Sequence, residues 1–91
     1  MNDPIVIVAA KRTAIGNFGG TLSKVPAHEL GAAVIKDVMQ QTSVKADEVD
    51  DVLMGQVLTS ATGQNPARQA AISAGISDSK TAMTINQVCG S

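Results

Sequence analysis

Three mostly apolar runs divide the chain and mark its predicted strands. They cover residues 5–10 (IVIVAA), 52–58 (VLMGQVL) and 82–88 (AMTINQV). The first run is continuous and rich in β-branched residues, which is typical of strands covered on both faces of a parallel sheet. Polar or glycine-rich segments separate the runs, so we predict three strands with longer connections between them.

The first connection has helical periodicity after a glycine-containing loop at residues 11–25. Pro26 suits the first turn of a helix, because the N–H that proline lacks would have no partner there. From this point apolar residues recur on one side of a predicted helix: Ala27, Leu30, Gly31, Val34, Ile35 and Val38. The pattern predicts an amphipathic helix that ends near residues 41–43.

The second connection predicts a shorter helix. Asn65 is a suitable cap, and Pro66 follows it at the first helical position. Small residues then form a narrow stripe: Ala67, Ala70, Ala71 and Ala74. Such a stripe lets a helix lie close to a sheet or to another helix, and Gly75 is a natural C-terminal stop.

The predicted order is therefore β-α-β-α-β, an α/β arrangement with right-handed crossovers. Two strand orders remain open. Sequential order places both helices on one face and leaves the other face of the sheet bare, whereas the order 2-1-3 covers both faces but leaves two edges unpaired. In either case the segment is unfinished, and we expect a further helix to begin at Cys89.

Composition and charge exclude several classes of protein. A chain of 91 residues corresponds to one small domain or to part of a larger one, and 44% hydrophobic residues exclude intrinsic disorder. Seven basic and eight acidic residues give a net charge of −1, and Phe18 is the single aromatic residue. The chain has neither a basic surplus for a phosphate backbone nor a platform for bases, so we expect no nucleic-acid partner.

The sequence also indicates a compartment. The single cysteine forbids an internal disulfide and fits a reducing environment. Lys11 and Arg12 follow the first apolar run instead of preceding it, which is the wrong order for a secretory signal, and the run is too short for a membrane span. We expect a soluble, cytoplasmic protein with no membrane partner.

Cys89 is the candidate for chemistry. It follows a predicted strand directly, at the carboxyl end where ligands gather in open α/β sheets. A helix that begins there would stabilise a thiolate through its free N–H groups and its dipole, and the same groups could hold the oxyanion of a tetrahedral intermediate. Position alone leaves open whether Cys89 is a nucleophile for acyl transfer or a small buried core cysteine.

The remaining candidates are weaker. The only histidine, His28, lies at the start of the first predicted helix, and we interpret it as a solvated residue and not as the base for Cys89. The acidic residues 47–51 lack the glycine and the distal glutamate of a calcium loop, so we expect no metal site. Met39, Met54 and Met83 fall on predicted core positions, where packing explains them.

Four segments of the chain resemble the N-terminal part of a thiolase of the acetyl-CoA acetyltransferase type. They are residues 5–16 (IVIVAAKRTAIG), 55–58 (GQVL), 63–70 (GQNPARQA) and 86–91 (NQVCGS). The resemblance covers the whole chain, and the last two segments are the most specific. It implies that Cys89 is acetylated and passes the acyl group to or from coenzyme A, with its own backbone N–H as one oxyanion donor.

The same resemblance implies an activity. The parent enzyme would condense two acetyl-CoA molecules into acetoacetyl-CoA, or run the reverse thiolytic cleavage, with coenzyme A thioesters as substrates and no metal or redox cofactor. Residues 1–91 would be the N-terminal part of the first of two similar halves, the β-α-β-α-β portion of a layered α/β fold with strands in sequential order. Residues 63–70 would lie near a subunit interface of a dimer or homotetramer.

The resemblance also implies what these residues lack. The family's catalytic histidine, its second catalytic cysteine and its coenzyme A-binding loops lie downstream, so we expect this chain to be a fragment that is inactive in isolation. Its partners would be acetyl-CoA and the remainder of the thiolase polypeptide. The alternative is a non-catalytic, truncated thiolase-like module that binds a related subunit through its unfinished sheet.

Overall fold

The computed structural model describes residues 3–91, which form two helices and two parallel strands. Helix α1 spans Ala27–Thr42, strand β1 spans Asp51–Gly55, helix α2 spans Pro66–Ser73 and strand β2 spans Thr81–Ile85. A short 3-10 turn at Ala46–Glu48 connects α1 to β1. Both helices and the second and third predicted strands are therefore confirmed, and the architecture is α/β.

Helix α1 begins directly after Pro26 and ends where Ser43 takes a left-handed conformation with φ 58°. Gly31 and Ala32 are its buried residues. A Cβ atom on Gly31 would lie 3.2 Å from the Cβ of Ala70 in α2 and 3.0 Å from the Cε of Met54 in β1. The glycine therefore lets α1 approach both α2 and the sheet closely.

Helix α2 is held at its start by the side chain of Asn65. Its Oδ1 accepts from the N–H of Arg68 at 3.2 Å and from the hydroxyl of Thr84 in β2 at 2.8 Å. Its Nδ2 donates to the carbonyl of Ala82 at 3.1 Å. One side chain thus caps the helix and fixes it to β2. The helix stops before Gly75, whose φ of +93° agrees with the predicted stop.

The sheet confirms the sequential neighbours. Strands β1 and β2 pair directly and in parallel, from Asp51 opposite Thr81 to Gly55 opposite Ile85. The alternative order 2-1-3, which would insert the first predicted strand between them, is wrong. The core lies on one face of this sheet, where Val52 packs with Ala71 and Ile76.

The opposite face of the sheet is open, as predicted for sequential order. Leu53 and Met83 are partners in the parallel register, and 59% and 55% of their surfaces are exposed. The core position predicted for Met83 is therefore wrong within the described chain, whereas Met39 and Met54 do pack against the core. Alternation of side chains along each strand causes this, since only every second residue faces the helices.

The first predicted strand is the main correction. Residues 5–10 form no strand, and Ile5 and Ile7 are almost fully exposed. Val8 instead lines an apolar groove of about 330 Å³ beside α1 and β1, while Lys11 pairs with Asp37 of α1 at 3.4 Å. A β-branched run favours extended backbone, but a strand also requires a neighbour that accepts its hydrogen bonds, and no described residue does so.

Candidate active site at Cys89

Cys89 lies exposed in the turn that directly follows β2. The predicted strand over residues 82–88 ends earlier, at Ile85, so the cysteine is neither inside a strand nor packed in the core. Among residues 3–91 the thiol is accessible and has no place in the core. Its position at the carboxyl end of a parallel strand agrees with the position predicted for it.

Two overlapping turns form the backbone around Cys89. The N–H of Gly90 donates to the carbonyl of Gln87 at 2.9 Å, and the N–H of Ser91 donates to the carbonyl of Val88 at 3.2 Å. Val88 has a φ of +52°, in the left-handed region that β-branched residues rarely adopt. The residue before the cysteine is therefore strained, and the bonds around it hold the chain in a sharp change of direction.

Side chains complete this turn. The Oδ1 of Asn86 accepts from the N–H of Val88 at 2.8 Å, and the hydroxyl of Ser91 accepts from the N–H of Gln87 at 2.6 Å. The same hydroxyl donates to the carbonyl of Val88 at 3.1 Å. Four of the five backbone N–H groups over residues 87–91 are thus bonded. The N–H of Cys89 is the fifth, and it has no hydrogen-bond partner among residues 3–91.

The turn is also attached to the end of β1. The Nδ2 of Asn86 donates to the carbonyl of Val57 at 3.1 Å, and the N–H of Gln56 donates to the carbonyl of Ile85 at 3.0 Å. Ser91 lies against Gly55, where an added Cβ would come within 2.5 Å of the Cβ of Ser91. The exits of the two parallel strands therefore form one connected unit that carries Cys89.

His28 forms no hydrogen bond with this unit, although it borders the end of β1. It is half-buried near the start of α1 and lines a cavity of about 120 Å³ together with Gly55, Gln56 and Pro66. Within the described chain no hydrogen bond joins it to Cys89 or to any other residue of the turn. It is less solvated than the sequence predicts, but it is not placed as a partner of the thiol.

Polar side chains in the segment over residues 63–70 form hydrogen bonds to backbone carbonyls of the neighbouring loops. The Nε2 of Gln69 donates to the carbonyls of Thr62 and Gln64 at 2.8 and 2.9 Å, and Gly63 passes close to that amide with a φ of +80°. Arg68 donates to the carbonyls of Asp78 and Lys80 at 3.1 and 3.2 Å. The polar residues of this motif therefore fix the loop before α2 and the loop before β2.

Sequence reasoning found Cys89 but missed the residues that hold it. Asn86 could have been identified, since an Asn side chain commonly bonds the backbone two residues later. Gly55 and Ser91 carry no such local signal, because their contact depends on the register of two strands that are far apart in sequence. Among residues 3–91, no group of His, Cys, Asp and Glu residues is arranged so that it could hold a metal ion.

Comparison with known proteins gives the family. The model of the thiolase N-terminal domain matches residues 5–91. The chain belongs to the thiolase family. That assignment agrees with the resemblance seen in the four sequence segments, and residues 86–91 with Cys89 lie inside the matched range.

Individual relatives agree with the family assignment. Over 87 residues the chain is 61% identical to a protein named acetyl-CoA acetyltransferase from Cupriavidus necator and 60% identical to one of the same name from Pseudomonas aeruginosa, covering 96% of this chain. It is 53% identical over 90 residues, 99% of this chain, to mouse acetyl-CoA acetyltransferase, cytosolic. The chain spans only 22% of the two bacterial relatives and 23% of the mouse one.

Neither helix in residues 3–91 has both the length and the apolar character that crossing a bilayer requires.

Proposed function

We propose that this chain is the N-terminal segment of an acetyl-CoA acetyltransferase and supplies its nucleophile, Cys89. The observation that carries the proposal is the exposed thiol in the turn after β2, within a chain of the thiolase family. The names of the relatives support the substrate class, acetyl-CoA. The reaction would be the condensation of two acetyl-CoA molecules into acetoacetyl-CoA, or its reversal.

The proposed mechanism has two half-reactions. The Cys89 thiolate attacks the carbonyl carbon of acetyl-CoA, a tetrahedral oxyanion forms, and coenzyme A leaves as its thiolate, so that the acetyl group is held as a thioester on sulfur. A second acetyl-CoA then loses a proton from its methyl carbon. The resulting carbanion attacks the acetyl carbonyl, forms the new carbon–carbon bond and releases the Cys89 thiolate.

The backbone at Cys89 supports this mechanism. A donor can stabilise an oxyanion only if it is not already bonded within the protein, and the N–H of Cys89 is the one N–H of residues 87–91 that has no partner among residues 3–91. Removal of one oxyanion donor typically costs about 10²–10³ in kcat, so a free N–H at this position is a substantial contribution.

The proposal requires residues outside this chain. A thiolate that completes the cycle needs a partner that moves protons, and among residues 3–91 no hydrogen bond joins Cys89 to His28. We propose that the remainder of the polypeptide supplies the acid–base groups, that the assembly is a cytoplasmic homodimer or homotetramer with residues 63–70 near a subunit interface, and that no metal or resident cofactor takes part. A thioester already activates both the carbonyl carbon and the neighbouring methyl group.

A chimera tests this function. This chain replaces the corresponding 87-residue segment of the Cupriavidus necator relative, and turnover of acetyl-CoA is measured with and without Cys89→Ala. The unsubstituted chimera should be active, and C89A should lose about 10⁴-fold or more in kcat because the covalent intermediate is gone. An inactive chimera, or a C89A variant with substantial turnover, would contradict the proposal.

Alkylation gives a second readout in the same chimera. At neutral pH, Cys89 should react with iodoacetamide faster than N-acetylcysteine does, and acetyl-CoA should protect it. A rate no faster than that of the free thiol would count against a nucleophilic role. The 91-residue chain by itself should give no turnover.

A second function is favoured by one observation, the open apolar face of the sheet at Leu53 and Met83. A short thiolase-like protein could use this face to bind a related subunit without catalysing a reaction. Intact mass and a search for a companion polypeptide in the native source separate the two functions. A clean 91-residue chain without a thiolase remainder would favour the binding module.

A further inference from the structure

We infer that Asn86 is a positioning residue for Cys89, acting as the link that ties the turn after β2 to the exit of β1. The inference rests on the proposed function, since it concerns the thiol that would attack acetyl-CoA. It is carried by three independent observations: the backbone conformation of Val88, the two bonds of the Asn86 side chain, and the exposure of the whole unit.

The first observation is the conformation that must be held. Val88, immediately before Cys89, has a φ of +52°, and a β-branched residue in this region persists only when its surroundings fix it. If it relaxed to an ordinary conformation, the peptide plane between Val88 and Cys89 would rotate. That rotation would move both the thiol and the free N–H of Cys89.

The second observation is how the conformation is held. The N–H of Val88 is bonded by the Oδ1 of Asn86 at 2.8 Å, and its carbonyl accepts from the N–H and the hydroxyl of Ser91 at 3.2 and 3.1 Å. The strained residue is therefore bonded on both sides. Ser91 also touches β1, at Gly55, but among these partners only Asn86 forms a hydrogen bond to the chain that follows β1, through Nδ2 and the carbonyl of Val57 at 3.1 Å.

The two ends of that side chain have different functions. The Oδ1 bond spans two residues and shapes the turn locally. The Nδ2 bond spans 29 residues and fixes the turn relative to β1. A local turn alone could swing as a body about the end of β2. The second bond, together with the contact between Ser91 and Gly55, sets its direction.

The third observation is that the turn lies outside the core, so an effect on the position of Cys89 can be distinguished from an effect on the stability of the fold. Asn86, Val88 and Cys89 are all exposed, and the core around Val52, Ala71 and Ile76 does not include them. Loss of the Asn86 bonds should therefore leave the core of residues 3–91 almost unchanged. The effect should fall on the orientation of Cys89, and misplacement of a reacting atom by about 1 Å can cost about 10² in rate.

The test uses Asn86→Ala in the active chimera. We expect kcat to fall about 10- to 100-fold while KM for acetyl-CoA stays within about twofold, because the lost interaction serves the reacting atoms and not substrate binding. Alkylation by iodoacetamide, which can approach the sulfur from many directions, should change by less than about threefold. Asn17→Ala is the matched control, since that asparagine lies in an exposed loop and its side chain forms no hydrogen bond with residues 3–91.

Asn86→Ser is the partial rescue. A serine hydroxyl can still accept from the N–H two residues later but does not reach Val57, so kcat should lie between those of N86A and the unsubstituted chimera. If N86A does not fold, N86S replaces it in the test: its kcat should be lower than that of the unsubstituted chimera, while its KM for acetyl-CoA stays within about twofold. An unchanged kcat, a change in KM alone, or an equal loss in N17A would overturn the inference. If C89A retains turnover, the proposed function fails, whereas inactive C89A with unchanged N86A rejects only the role of Asn86.

Discussion

Gly55 leaves space for the turn that carries Cys89, because it has a hydrogen atom in place of a side chain. It is the last residue of β1, and any side chain there would meet Ser91, which holds the strained backbone of Val88. The glycine has no positive φ that would require it, so space for the neighbouring turn is the reason for its identity. A residue outside the turn can thus determine where Cys89 points.

This makes Gly55→Ala informative. The added methyl carbon would lie 2.5 Å from the Cβ of Ser91, so the turn must shift. In the chimera we expect kcat to fall by about tenfold or more, since the displacement is transmitted to Cys89. Steady-state kinetics measure the effect.

Gly16→Ala is the control for that substitution, because its new Cβ would lie 3.4 Å from the nearest atoms of Leu22, an ordinary contact. Equal kcat in G55A and G16A would contradict the expected displacement of the turn.

At this scale the sequence identifies the candidate residue, Cys89, but not the residues that support it. Cys89 could be proposed, and its place after a strand predicted, because its type and its position after an apolar run are local properties. The supporting contacts join Gly55 to Ser91 and Asn86 to Val57 across about 30 positions of the chain. They follow from the parallel register, which a single sequence does not specify.

The elements differ in how well local patterns predict them. Helices α1 and α2 begin and end within about a residue of their predicted bounds, because capping, proline and glycine act locally. The strands are shorter than their apolar runs. β1 ends at Gly55 and β2 at Ile85, since the chain after each strand turns to make the bonds that hold the site.

The strand predicted over residues 5–10 fails for a related reason. Its composition favours extended backbone, and the structure leaves it without hydrogen-bonded neighbours among the described residues. Pairing is a property of two segments together, whereas helical hydrogen bonds lie within one segment. A strand predicted from one run of residues therefore also requires a second segment that pairs with it, whereas a predicted helix does not.

Helix α2 allows a test of one cap. Asn65→Ala removes the bond to the N–H of Arg68 and the links to Thr84 and Ala82, and it places alanine at a φ of +43°. Loss of an N-cap costs about 1–2 kcal/mol, so the amides of α2 in the chimera should exchange with solvent about 5- to 30-fold faster. Hydrogen exchange followed by mass spectrometry measures this.

Asn17→Ala provides the comparison for the cap, because that asparagine lies in an exposed loop and its side chain bonds no described residue. Protection of α2 that is the same in N65A and N17A would show that the cap contributes nothing. Asn65→Asp should retain part of the protection, since a carboxylate still accepts from Arg68.

In the described chain the core lies on one face of the sheet, and the other face is open. Helix α2 contacts α1 and both strands, α1 approaches the sheet at Met54, and the core lies between these layers. The opposite face presents Leu53 and Met83 as adjacent, exposed apolar residues. A layered α/β fold normally covers both faces of such a sheet, so this surface is where a further layer would pack.

The 91-residue chain alone should self-associate through that face. Leu53→Lys should reduce the fraction of dimers or larger species, because a charge on the open face opposes apolar contact. Sedimentation velocity over a range of concentrations measures the effect, with circular dichroism to verify that the helices are retained.

Ile72→Lys is the matched substitution for this measurement. Ile72 is 44% exposed on α2, away from the sheet. If it reduces association as strongly as L53K does, or if neither has an effect, the open sheet face is not the contact surface.

The link from Asn86 to Val57 has a practical consequence for engineering. Residues 56–58 lie outside β1, and a mutagenesis library over the loop before α2 would include them together with residues 59–64. Because the carbonyl at Val57 anchors the turn of Cys89, changes in loop length or backbone path at that point would damage every library member in the same way. Diversity introduced beyond residue 58 avoids this shared defect.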